Sequence, residues 1–211
     1  MNQSNSGEAY GIGQYRFPHS FDLKGRTFTV YSDGASTELR FLGRERASLC
    51  GEERAYECLK IEKDVYFLIL GDTAAVLDTR EETAILISPE GYTFGSLRKG
   101  ERVLAFTPEA MAGTRVRWFL GAGRWTEHAC LPGGRVMTDW APGFGETEQA
   151  MTCVHIRDGI YLVDVTGPAP AGSCAPAGTD RLILLEDYER MMAVGCALGG
   201  GTVPVSGYGR F

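Results

Sequence analysis

The chain lacks long apolar runs and long amphipathic helix patterns, and these absences exclude several classes of protein. No stretch of its 211 residues approaches the roughly 20 consecutive apolar residues of a membrane-spanning helix. Residues 108–112 and 188–192 each suggest one helical turn, too little for a helical layer. Met1 to Glu8 has neither the basic nor the apolar region of a signal peptide. We therefore expect a cytoplasmic protein that makes no membrane contact and keeps its six cysteines mostly reduced.

Concentrated positive charge is also missing, together with the common phosphate and nucleophile motifs. The formal net charge is −6, and basic residues alternate with acidic ones, as at Arg44-Glu45-Arg46. A nucleic-acid surface needs a concentrated basic patch, so no nucleic-acid partner is expected. Gly11-Ile12-Gly13 lacks the third glycine of a dinucleotide loop, and no Gly-x-Ser-x-Gly elbow occurs. The sequence therefore predicts no cofactor.

What the chain does contain is a β-hairpin pattern that occurs twice, among 28 glycines suited to tight turns. Residues 57–68 and 152–163 alternate apolar and polar side chains about a short turn, which is typical of strands. Matching residues are Cys58 and Tyr66 in the first copy and Cys153 and Tyr161 in the second. The second turn is Asp158-Gly159, where glycine adopts positive φ without steric cost. With this turn Ile156 is expected opposite Tyr161, and His155 on the face of Asp164.

The similarity between the halves extends outward and defines a domain plan. Gly25–Tyr31 matches Gly113–Phe119, and Thr37-Glu38 falls where Thr126-Glu127 falls. Residues 167–178, rich in glycine, alanine and proline, interrupt the second copy as a loop that is either a lid or a surface excursion. The predicted plan is a flexible amino terminus over 1–14, β repeats over 15–100 and 101–198, and a glycine-rich tail over 199–211.

These segments resemble the MoaF family, molybdenum cofactor biosynthesis protein F and its relatives. The resemblance is carried by Gly113–Trp118, Trp125–His128 and 156–163 in the second half, and by Gly25–Tyr31 and 56–70 in the first. It implies an all-β, calycin or lipocalin-like antiparallel barrel built from two tandem repeats, as two small barrels or one large pseudo-symmetric barrel. Such barrels hold one ligand in a mouth or lumen.

The candidate catalytic residues lie in the second repeat. They are Glu127, His128, His155 and Arg117, near Asp139. Histidine transfers protons near neutral pH, and a carboxyl group inside a barrel has its pKa raised by desolvation, so that the two can divide acid and base roles. Phenolic acid decarboxylases, which share the architecture that the resemblance implies, use glutamate, arginine and tyrosine. This chain has those residue types in Glu127, Arg117 and Tyr161.

A structural explanation stands beside the catalytic one. Arg115 and Arg117 share one face of a strand while Val116 and Trp118 share the other, as in any half-solvated strand. Glu127 can then simply pair with an arginine across the sheet. Candidate substrate-binding residues are the aromatic and polar side chains Trp118, Trp125, Trp140, Tyr161, Arg115 and Glu38. The aromatic ones either stack on a planar ligand or fill the barrel core.

A zinc site is an alternative, although no metal ligand is assigned. His128 and Cys130 share one strand face, as do Cys153 and His155, and these side chains would suit tetrahedral zinc if the two strands were neighbours. Buried reduced cysteines are the other interpretation.

Two functional hypotheses remain. One is a cofactor-independent lyase, decarboxylase or isomerase that acts on a small aromatic or heterocyclic molecule. The other is a carrier that binds such a molecule without changing it, in a biosynthetic pathway such as molybdenum cofactor synthesis. An enzyme needs an ionisable residue inside the cavity, whereas a carrier can use an apolar lumen with a polar rim. The sequence leaves the oligomeric state open.

Overall fold

The computed structural model describes residues 17, 19–101, 103–121, 124–140, 144–171, 173, 175, 178–199 and 201–211. The chain divides into two compact units, Pro18–Ala105 and Phe106–Phe211, the latter including the segment that ends at Phe17. Both are built from antiparallel strands, which confirms the predicted all-β class. In the described part of the chain, no helix has the length and apolar character to cross a membrane. The predicted flexible segment 1–14 lies outside the described residues.

The first unit is a nine-stranded sheet with the order β4-β3-β2-β1-β9-β8-β7-β6-β5. Its strands are β1 (Thr27–Ser32), β2 (Ala35–Phe41), β3 (Arg46–Leu49), β4 (Glu52–Ala55), β5 (Glu57–Glu62), β6 (Val65–Leu70), β7 (Thr73–Asp78), β8 (Thr83–Ser88) and β9 (Gly91–Ser96). An apolar cluster that includes Val30, Leu39 and Leu77 fills this unit.

The second unit is a closed eight-stranded barrel in which strands adjacent in sequence pair and β10 pairs with β17. Its strands are β10 (Arg115–Gly121), β11 (Arg124–Leu131), β12 (Arg135–Asp139), β13 (Glu146–Arg157), β14 (Ile160–Thr166), β15 (Arg181–Asp187), β16 (Met192–Leu198) and β17 (Val203–Arg210). The stretch 199–211, predicted as a glycine-rich tail, therefore supplies the strand that closes the barrel.

The two units share one pairing scheme. In the second, β13 pairs with β12 through residues 146–150 and with β14 through residues 150–157. In the first, β4 pairs with β3 and β5 pairs with β6, and only Tyr56 separates β4 from β5. Strands β4 and β5 of the first unit together correspond to the single long strand β13 of the second unit, with an interruption at Tyr56. Of the two arrangements left open by the sequence, the chain has two barrels, one closed and one nearly closed.

The repeated hairpin has its predicted turn but not its predicted register. Arg157 pairs with Ile160, so Asp158-Gly159 forms the two-residue connection, with Gly159 at φ +73°. His155, not Ile156, then lies opposite Tyr161, because a β-bulge inserts one residue between the paired positions. The predicted placement of His155 on the same face as Asp164 is therefore wrong, because Asp164 pairs with Thr152. A matching bulge follows Lys60 in the first unit.

Two connecting segments pack against the interior of the second barrel. Met111, in the turn before β10, belongs to the apolar cluster inside the barrel. The inserted loop after β14, predicted over 167–178, packs Ala169 and Ala175 against the same cluster. In the first unit the equivalent connection is only the turn between Leu70 and Thr73. The insertion is thus part of the barrel's packing, at least through these two side chains.

Candidate functional site

Strand β11 divides the predicted catalytic pair between two faces. Thr126, His128 and Cys130 are buried and alternate with Glu127 and Ala129, which are only partly buried. Since successive side chains of a strand point to opposite faces, His128 points into the barrel and Glu127 away from it. The structure therefore does not bring Glu127 and His128 into one site.

The outer face next to Glu127 carries an ion-pair cluster. Glu127 accepts hydrogen bonds from Arg115 and from Arg117, whose Nη2 lies 2.7 Å from Oε2. The guanidinium of Arg117 also stacks over the ring of Trp125, 4.1 Å from its centroid. Asp139 lies opposite Glu127 on β12. Four predicted site residues, Arg115, Arg117, Trp125 and Glu127, therefore form a cross-strand group outside the lumen.

Glu38, the first-unit residue matched to Glu127, is also on an outer face. It is exposed on β2, opposite Thr29, just as Glu127 lies opposite Arg117 on β10. Glu38 and Glu127 therefore occupy equivalent positions, as the repeat predicts, and both positions face outward.

The centre of the second barrel contains a contact between His128 and Glu186. Strands β11 and β15 are four positions apart in the eight-stranded order, on opposite sides of the barrel. Nevertheless His128 Nδ1 lies 3.7 Å from Glu186 Oε1, and each side chain is only 1% exposed. Side chains from opposite walls can meet only across the lumen. An imidazole and a carboxyl group therefore share the middle of a closed barrel.

Tyr188 completes this group from the turn after β15. Its hydroxyl donates a hydrogen bond of 2.7 Å to Glu186 Oε2. Burial, and then the negative charge of Glu186, raise the pKa of the Tyr188 hydroxyl, so that it stays protonated and can donate. The sequence analysis did not identify Tyr188 or Glu186.

Aromatic rings surround the same position. The rings of Trp118 and Tyr161 both meet Tyr188 edge-on, with centroids 5.9 and 5.8 Å away. Gly209 on β17 leaves room for the indole, since a Cβ there would lie 2.5 Å from Trp118 Cζ3. His155 is half-buried, and its ring lies 5.0 Å from that of Tyr161. Predicted ligand-binding aromatics are thus brought together with His128 and Glu186.

Several polar atoms in this interior have no protein partner. Within the described chain, no hydrogen bond reaches the buried atoms Trp118 Nε1, Thr126 Oγ1, His128 Nδ1 and Nε2, Thr138 Oγ1, Trp140 Nε1 and Glu186 Oε1. Each unsatisfied buried group costs about 1–3 kcal/mol, and native proteins keep such groups few. These atoms lie on β10, β11, β12 and β15 and on Trp140 just after β12, and in proteins such groups are commonly satisfied by buried water.

The lumen thiols are not arranged as a metal site. Burial and the charge of Glu186 raise the pKa of Cys130 to about 12. Burial raises the pKa of Cys153 to about 11. Strand β12 lies between β11 and β13, so the neighbouring strands needed for zinc are not present. Among the residues with described positions, no group of three or more histidine, cysteine and carboxylate side chains could hold a metal ion.

The first unit has apolar residues at the equivalent inward positions. Register places Val30 where the second unit has Trp118, and Leu39 where it has His128. Leu77 pairs with Tyr66 as Glu186 pairs with Tyr161. All three first-unit side chains are fully buried in its apolar cluster. At these positions the polar interior is therefore specific to the second unit.

Neither models of known protein families nor curated proteins match this chain. The fold and the site define a class: an all-β protein of two antiparallel barrel units, of which the second has a polar, aromatic lumen. This architecture is compatible with the binding of a small molecule.

Proposed function

We propose that the second barrel binds a small planar, aromatic or heterocyclic molecule in its lumen. The observation that supports this most directly is the meeting of His128 and Glu186 from opposite walls, with polar atoms of both left unpaired among the described residues. A protein that needed only a stable core would place apolar residues there, as the first unit does with Leu39 and Leu77. The unpaired atoms would hydrogen-bond to the ligand, and its binding would offset their desolvation.

The surrounding rings favour a flat ligand. Trp118 and Tyr161 each lie edge-on to Tyr188, and aromatic side chains of this kind stack on planar molecules. Eight-stranded barrels have room for one small ligand at most. The preferred ligand therefore combines one or two aromatic rings with hydrogen-bonding groups on its edge. The resemblance to the MoaF family also implies a barrel that holds one small ligand, and we propose that relationship on the segments that carry the resemblance.

Tryptophan fluorescence provides the test. All three tryptophans of the chain, Trp118, Trp125 and Trp140, belong to the second unit. Benzamide, a planar amide, should change this emission with a dissociation constant of about 0.5 mM, from about 0.5 kcal/mol for each of its nine heavy atoms. The variant H128L/E186L should lose this response, whereas E127Q, altered on the outer face, should keep it. An equal response from H128L/E186L, or none from the native chain, would contradict the proposal.

Proton transfer is a second candidate function, favoured by the 3.7 Å separation of imidazole and carboxyl group. His128 would act as the base, and the carboxylate of Glu186 would stabilise the imidazolium that forms, in an isomerase or lyase reaction. This hypothesis replaces the pair Glu127 and His128 with the pair His128 and Glu186. The carrier hypothesis needs no such step. H128Q would separate them, because it should abolish turnover in an enzyme while changing ligand affinity only modestly in a carrier.

A further inference from the structure

We propose, building on the proposed function, that the lumen of the second barrel selects ligands by charge and accepts neutral or cationic aromatic molecules while rejecting anionic ones. The proposal follows from which charged side chains point inward and which point outward. It narrows the ligand class, because an aromatic carboxylate and an aromatic amidine of the same shape should behave differently.

The inward-facing side chains carry no fixed positive charge. Among those that the structure describes on β10 to β17, none is lysine or arginine. The ionisable groups at the site centre are Glu186 and His128, each 1% exposed. The carboxyl group of Glu186 lies 3.7 Å from the imidazole of His128, so this pair provides no net positive charge for an anion.

The arginines near the site are held outside by carboxylates. Arg115 and Arg117 pair with Glu127 on the outer face. Arg181 places Nε and Nη2 2.9 and 2.7 Å from Asp164 Oδ2, on the outward side of β14 and β15. The guanidinium of Arg190, in the turn after β15, lies 2.8 Å from Asp187. An anionic ligand would therefore lose its hydration without gaining an ion pair.

A cationic ligand would find a carboxylate and aromatic rings to interact with. Glu186 Oε1 is a buried acceptor with no hydrogen bond among the described residues. The Tyr188 hydroxyl donates to that carboxylate, the ring of Trp118 lies against Tyr188, and aromatic faces attract cations. Burial, and then the negative charge of Glu186, raise the pKa values of Tyr188 and Cys130, which fits a lumen that disfavours further negative charge.

Three planar probes of nearly identical shape test the proposal: benzamide, benzamidine and benzoate. Near neutral pH these are neutral, cationic and anionic. Binding of each to the full-length chain would be measured by isothermal titration calorimetry. Benzamidine should bind at least about tenfold more tightly than benzoate, because a charge-assisted hydrogen bond replaces an uncompensated charge.

Two variants assign the discrimination to Glu186. In E186Q the amide can still accept the hydrogen bond of Tyr188, and the preference for benzamidine over benzamide should disappear. In E127Q, which loses a carboxylate on the outer face of the same barrel, the order of the three probes should not change. Discrimination that persists in E186Q would overturn the assignment.

The outcomes separate this inference from the proposed function. If benzoate binds as tightly as benzamidine, charge selection is refuted while lumen binding stands. If none of the three probes binds, both proposals fail. If benzamide and benzamidine bind and benzoate does not, both are supported.

Discussion

Replacing the polar group in the lumen with apolar residues should stabilise the ligand-free protein. The triple variant H128L/E186L/Y188F gives the second barrel the leucines that the first barrel has at Leu39 and Leu77. Tyr188 is included because its hydroxyl donates to Glu186 and would otherwise lose its partner. The expected result is a more stable barrel that no longer binds benzamide.

The size of the effect follows from the unpaired atoms. In the native lumen, Nδ1 and Nε2 of His128 and Oε1 of Glu186 have no hydrogen bond within the described residues. Removing unsatisfied buried groups recovers about 1–3 kcal/mol for each, and the lost Tyr188 hydrogen bond returns about 1 kcal/mol in the other direction. Imperfect packing of the new side chains costs about 1–3 kcal/mol more. With each contribution at the middle of its range, the free energy of unfolding should rise by about 3 kcal/mol.

Urea denaturation followed by tryptophan emission measures this quantity for the second unit, since all three tryptophans lie there. The midpoint should increase while the slope of the unfolding free energy against urea stays constant. E127Q serves as the control, with a change below about 1 kcal/mol expected for a largely surface ion pair. A triple variant less stable than the native chain would refute the reasoning, because His128, Glu186 and Tyr188 would then be a stabilising structural network.

Three further predictions concern the rest of the fold. Leu39→His, the reverse change in the first unit, should lower stability by about 2–4 kcal/mol in urea titrations followed by circular dichroism, because it buries an unpaired imidazole; an unchanged midpoint would contradict this. Gly195→Ala should cost about 2 kcal/mol or more, since a Cβ there would lie 1.9 Å from the Ile183 carbonyl oxygen; a neutral change in melting temperature would count against the register of β15 and β16. Burial raises the pKa of Cys196 to about 12, above the pKa of this thiol in the unfolded chain. The unfolded chain therefore loses the thiol proton first, and the free energy of unfolding falls as pH rises above about 9. Cys196→Ala should therefore flatten this loss by up to about 1.4 kcal/mol per pH unit in urea titrations, and an unaltered slope would argue against the burial.

The class of fold could be predicted from sequence because its signals are local. Alternation about Asp158-Gly159 identifies the hairpin, and the repeat reveals two similar units. The bulge before Arg157 could not be predicted, since a bulge depends on how the strand bends around the barrel rather than on a residue type. Because of that single inserted residue, His155 lies opposite Tyr161 and not on the same face as Asp164.

Only part of the candidate site could be predicted from the sequence. His128 was predicted because histidine transfers protons near neutral pH. Glu186 was missed because by residue type it matches Asp78 of the first unit, whereas strand register aligns Asp78 with Asp187. Both aspartates accept backbone hydrogen bonds in the turn that follows, which explains their similarity. When the two units are aligned by strand register, Glu186 corresponds to Leu77, just as His128 corresponds to Leu39.

The contact between β11 and β15 could not be predicted at all. No residue pattern near Thr126 or Thr138 indicates that β11 and β15, which are far apart in the chain, face each other across a lumen. The placement depends on closure of β10 onto β17, and so on the glycine-rich stretch predicted as a tail. Predicting the outward position of Glu127 was easier, because its pairing with Arg115 and Arg117 needs only neighbouring strands.

The central claim is that a planar ligand binds between His128 and Glu186. A crystal structure of the full chain soaked with 4-bromobenzamide tests it most directly, because anomalous scattering locates the bromine independently of any interpretation of the ligand density. The account predicts a bromine peak inside the second barrel, with the amide within hydrogen-bonding distance of His128 or Glu186. A bromine peak only on the outer surface, or an unliganded lumen at a saturating concentration of the probe, would contradict it.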